Sequence, residues 1–126
     1  MRSWFIKAFA AVLMIGTWAS QASAEASLNQ ILKDYDNPKA GEAQRMVISS
    51  NLTGIEVGLG WANTAIRAQR MQAPLYCPPK GEMAASQLVD ILRRALKDEP
   101  RLGERPVGFA MLAALQRSFP CQGGGQ

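Results

Sequence analysis

The chain has 126 residues, 48% of them hydrophobic and 19% charged, with two cysteines and no histidine. That length suits one domain with a modest apolar core. The missing histidine removes the commonest general base near neutral pH and the commonest metal ligand, and the formal charge of +4 is not gathered into Lys/Arg runs among aromatics, so nucleic acid is not indicated as a partner.

Residues 1–24 read as a secretory signal peptide. Arg2 and Lys7 form a positive leader, Ala8 to Ala19 is an apolar run, and Ala22-Ser23-Ala24 is a small-x-small cleavage site before Glu25. The run is too short to span a bilayer, which needs about 20 residues. Cleavage would leave 102 residues carrying 12 basic and 10 acidic side chains, a net charge of +2. The product is expected in the periplasm, off the membrane and under oxidising conditions.

A first short helix is predicted over Ser27 to Asp36, opened by a Ser27/Gln30 capping box, with Leu28, Ile31, Leu32 and Tyr35 on one face. Asn37-Pro38 ends it. A long helix follows from Gly41 to about Arg70. Its apolar stripe is Ile48, Leu52, Ile55, Leu59, Ala62 and Ile66, and Asn51, Glu56, Asn63 and Arg67 make it water-compatible. Beside the stripe runs a row of small residues, Ser50, Gly54 and Gly58. Glycine in a helix costs about 1 kcal/mol, so Gly54 and Gly58 are expected to face a neighbouring helix, within the protomer or across a homodimer.

Gln69 to Lys80 is a proline-rich connection. The next helix is predicted over Glu82 to Asp98, with Leu88, Ile91, Leu92 and Ala95 inward and an Asp90–Arg94 pair outward. Pro100 stops it. Pro106 suits the first position of a last helix reaching about Phe119, apolar on most sides and expected to be the most buried. Gln122 to Gln126 reads as a disordered tail. The fold class is all-α: a small four-helix bundle occupying residues 25–121.

If the last two helices form an antiparallel hairpin, Cys77 and Cys121 lie side by side, and one disulfide ties the hairpin together. The chemistry otherwise available is thin. Two cysteines do not make a zinc site, and no phosphate-binding loop or nucleophile motif is present, so no catalytic residue, metal or cofactor is assigned and the chain is not read as an enzyme. Glu42 and Glu56 read as solvated surface charges, and the Asn51-Leu52-Thr53 sequon as chance. Trp61 reads as core. Tyr76, in a loop beside the disulfide, reads as a partner anchor, and Arg70, Gln72, Tyr76 and Lys80 are the candidate partner contacts.

Four blocks carry a family resemblance: Gly54-Ile55-Glu56-Val57-Gly58-Leu59-Gly60-Trp61-Ala62-Asn63, Pro74-Leu75-Tyr76-Cys77-Pro78-Pro79, Gln87-Leu88-Val89-Asp90-Ile91-Leu92 and Phe119-Pro120-Cys121. In this order, after a signal peptide, they resemble the Rap/Tai family of exported proteobacterial immunity proteins over about Ala40 to Cys121. The resemblance implies a small all-helical periplasmic protein that binds and inhibits a peptidoglycan amidase toxin delivered by type VI secretion. Many members carry a second cysteine pair in the first half; here Ser49, Ser50 and Thr53 occupy that region. An acid-stress chaperone, also small, exported, helical and disulfide-bonded, is the alternative.

Overall fold

The computed structural model describes residues 25–69 and 73–122. The expected signal peptide, Arg70, Gln72 and most of the tail lie outside them. Among the described residues there are four α-helices: α1 (Leu28–Tyr35), α2 (Glu42–Ala68), α3 (Ala85–Asp98) and α4 (Val107–Ser118). A 3₁₀ turn, Pro100–Glu104, joins the last two. No strand occurs among the described residues; an isolated bridge links Ser27 and Pro106. The all-α reading therefore holds, with Pro106 capping α4 from outside its first turn.

The core follows from the amphipathic stripes. Leu28 and Leu32 of α1, Ile48 and Leu52 of α2, Leu88, Ile91 and Leu92 of α3, and Val107, Met111 and Leu115 of α4 form one buried cluster. Each such side chain contributes about 1.5–3 kcal/mol on burial. The α3–α4 hairpin has the most extensive contacts, and α1 and α2 lie against it. Phe119 extends the hairpin's apolar surface, whereas Phe109 stands out in solvent under the Arg105 guanidinium, 5.7 Å from its ring centre. So α4 is buried on one face rather than all round.

The N-terminal segment is sewn to the far end of the chain. Leu28 N donates to Arg105 O at 3.0 Å, and Val107 N donates to Ala26 O at 2.9 Å. Gly108 N donates to Glu25 Oε1 at 2.7 Å. Because Pro106 offers no side-chain cap, Glu25 and Ala26 satisfy the free amides at the start of α4, and the carboxylate sits at the positive end of its dipole. At α1 only half of the capping box forms. Ser27 Oγ accepts from Gln30 N, but Gln30 Nε2 turns to Asp34 Oδ1 at 2.8 Å. The expected Asp90–Arg94 pair is replaced by Asp90–Arg93 at 3.4 Å, and Arg93 also reaches Asp36 on the loop after α1.

Gly54 and Gly58 do not pack against a helix of the same protomer, contrary to one branch of the sequence expectation. Both are exposed, and a Cβ at either would meet nothing within 4 Å. The reason is rotational. The stripe of Ile48 and Leu52, buried, with Ile55 and Leu59, partly buried, faces the bundle, and the glycine row lies on the solvent side of the helix.

Candidate functional site

In the connection from α2 to α3, the segment Leu75–Cys77 is held to the rest of the fold at several points. Cys77 and Cys121 form a disulfide with a Cα–Cα distance of 5.0 Å. Cys77 N also donates to Phe119 O at 2.9 Å, so two links fix the loop to the end of α4. A third comes from α2. Asn63 is buried (5% exposed); its Oδ1 accepts from Leu75 N at 2.7 Å and its Nδ2 donates to Tyr76 O at 2.8 Å. A single side chain thus satisfies two backbone groups of a loop that has no ladder of its own. Asn63 is a structural clamp rather than the solvating residue its sequence context suggests.

Clamped in this way, Tyr76 points inward. It is 1% exposed, and among the described residues its hydroxyl has no hydrogen-bond partner. Burial, with Glu56 as a second cause, raises its phenol pKa above the usual range. Tyr76 is therefore a core residue, where the sequence expectation has it at the surface. Trp61 is the converse, standing 71% exposed on α2 where the sequence reading places it in the core. The two aromatics have exchanged burial and exposure relative to the sequence expectation.

Beyond Cys77 the loop runs out to Lys80, which is exposed, and turns at Gly81, whose φ of +98° favours glycine. Then α3 begins, with Gln87 Oε1 accepting from Ala84 N at 2.8 Å. Between this turn and the helix pair lies an open groove of about 350 Å³, lined by Pro79, Met83, Gln87, Asp90, Arg94 and Phe119 among others. It offers an apolar floor with one acid and one base on its rim. Of the four candidate contacts, Lys80 is exposed next to Pro79 of this lining, Tyr76 is buried behind it, and Arg70 and Gln72 fall outside the described residues.

Both cysteines are consumed in the disulfide, and among the described residues no cluster of three His, Cys, Asp or Glu side chains could hold a metal ion. Glu42 and Glu56 are 14 positions apart on one helix, about 21 Å along its axis, too far to share a proton. Glu56 is partly buried; burial, and then the nearby Glu82, hold its carboxyl pKa above the usual glutamate range. A second cavity, about 280 Å³, opens between the N-terminal segment and α2, and its one carboxylate, Glu25, is engaged with Gly108. No described helix is long and apolar enough to cross a membrane.

Comparison of the chain with family models, curated proteins and solved structures gives no match.

Proposed function

We propose that this protein is an exported immunity protein of the Rap/Tai type, acting by binding and blocking a peptidoglycan amidase toxin in the periplasm. The observation that carries the reading is the fastening of the Leu75–Cys77 segment at three points: Asn63, the disulfide and Phe119 O. Three of the blocks that carry the family resemblance meet at this place: the one that ends at Asn63, the one around Cys77 and the one from Phe119 to Cys121. A loop held so firmly loses little entropy when a partner docks on its outer end, where Pro79 and Lys80 border the groove. The disulfide suits an oxidising compartment.

The acid-stress chaperone reading requires that protonation loosen the fold. Glu56 works the other way, since its raised pKa means that protonation relieves an unfavourable buried charge. The decisive experiment is to direct an amidase encoded beside this gene to the periplasm, with and without this protein. Protection from lysis and a stable complex on gel filtration are expected. Equal killing in both cases and no complex, for every amidase of the same genome, would end the immunity reading.

A further inference from the structure

The groove between the Gly81 turn and the α3–α4 pair has a direction as well as a volume. Gln87, Ile91 and Arg94 follow one another along one face of α3, at steps of four and three, and line one side of it. Pro79, Met83 and Phe119 complete the apolar lining. Gln87 and Arg94 are two helical turns apart, about 10.5 Å along the axis. The polar groups on this rim are not balanced. Gln87 Oε1 is taken by Ala84 N, which leaves its Nε2 as a donor. Asp90 is turned to Arg93, which also reaches Asp36. Arg94 is exposed and has no acidic partner among the described residues. The unengaged groups along α3 are therefore both donors, a carboxamide at one end and a guanidinium at the other, with Ile91 between them. Such a row calls for a ligand with an apolar centre and an acceptor at each end.

We propose, on the reading that this protein acts by binding a partner here, that the groove takes an extended peptide segment of that partner in which an apolar side chain is followed two positions later by aspartate or glutamate. The spacing selects this pattern. An extended chain rises about 3.3 Å per residue, so the two donors on α3 stand about three residues apart. The carbonyl of one peptide residue accepts from Gln87 Nε2, and the next residue sets its apolar side chain over Ile91, Met83 and Phe119. Side chains two positions apart point to the same face of an extended segment, so the acidic one falls at Arg94. There the guanidinium can hold both carboxylate oxygens, the strong form of this contact. Lys80, exposed beside Pro79, adds to the positive balance of this surface, and Asp90, one turn before Arg94, opposes it. A fatty acid has the same apolar and acidic ends, but it offers nothing to the Gln87 amide, and an open groove leaves its chain half in water, unlike the enclosing pockets that hold small ligands.

The test is a titration of the full, oxidised, nitrogen-15-labelled chain with the peptide acetyl-Ser-Leu-Ser-Glu-Ser-amide, up to roughly 10 mM, followed by NMR. Saturable binding with a Kd of about 0.1–2 mM is expected, the Gln87 side-chain amide and the Arg94 Nε–H among the signals that move. Changing the peptide's glutamate to glutamine, or its leucine to alanine, should weaken binding by about tenfold. Arg94→Glu should do the same and turn the preference towards a peptide with lysine in place of glutamate. Gln87→Glu keeps the acceptor for Ala84 N and removes the donor, so it should weaken binding without lowering the thermal midpoint, whereas Asp90→Asn should tighten it. No saturable shift at the highest concentration overturns the proposal. So does equal binding of the glutamate and glutamine peptides, or decanoate binding in the groove where the peptide does not. The outcome separates from that of the amidase experiment. A bound peptide with no amidase complex leaves the groove assigned and ends the immunity reading; protection by a variant carrying Arg94→Glu, with no peptide bound by the wild type, overturns the groove assignment alone.

Discussion

Replacing Asn63 by alanine should be as damaging as truncating a core leucine, although the side chain is polar. The substitution leaves Leu75 N–H without its acceptor and Tyr76 C=O without its donor, bonds of 2.7 and 2.8 Å in a buried setting. Each unpaired group costs about 1–3 kcal/mol, and alanine returns roughly 0.6 kcal/mol of helix propensity, so the net loss is about 2–5 kcal/mol. Domains of this size have about 5–15 kcal/mol in all, and each kilocalorie moves the thermal midpoint by about 4–8 °C. Urea denaturation with the disulfide intact is the direct assay, and Asn63→Asp is the informative companion. Aspartate keeps the acceptor for Leu75 N but sets an oxygen against Tyr76 O, so it should be no better than alanine. A loss below about 0.5 kcal/mol for Asn63→Ala, with an unchanged denaturant slope, would refute the clamp.

Cys77→Ser with Cys121→Ser opens a loop of 44 residues and should cost about 4 kcal/mol in the chain-entropy model, read by chemical denaturation; intact mass with and without reductant checks the wild-type bond. Glu56→Gln should stabilise the protein at about pH 7 and lose that advantage by about pH 3. The sign follows from the raised folded-state pKa: the native state holds this proton more tightly than the unfolded chain, so stability falls as pH rises from the unfolded value through the folded one, and glutamine escapes that loss. Glu25→Ala removes the carboxylate that accepts from Gly108 N and should cost about 0.5–2 kcal/mol in a thermal melt.

Helices with strong stripes were the legible part of this chain. Leu88, Ile91 and Leu92 recur at helical spacing and bury where that spacing puts them, and α1, α3 and α4 end within a few residues of their proline and capping signals. The disulfide was legible because only one intramolecular pair is possible and a hairpin brings it together. Trp61 is instructive because the necessary signal was present. It is two residues beyond Leu59, about 200° around the helix, and so faces away from the very stripe that defines the core. Hydrophobicity suggested core; the angle gives the surface. Tyr76 was not legible in the same way. Its burial depends on Asn63 drawing in a loop from 13 residues away and on the disulfide next door, and no local periodicity encodes either. The groove beside Pro79 likewise exists only once α3 and α4 are paired.

The stitching of Glu25, Ala26 and Leu28 to Arg105, Val107 and Gly108 has a consequence for the order in which the protein can be made. Some 83 positions separate Glu25 from Gly108, so the part of α1's bed formed by Arg105 and α4 is missing until those residues have been made, and only α2 is there to pack on before then. A helix of 8 residues is not stable by itself in water. A chain made N-terminus first therefore leaves Leu28 and Leu32 only partly covered through most of its synthesis, while α3 and α4, close in sequence, close quickly on each other once they emerge. Assembly runs against the direction of delivery, the last part to arrive being the template for the first.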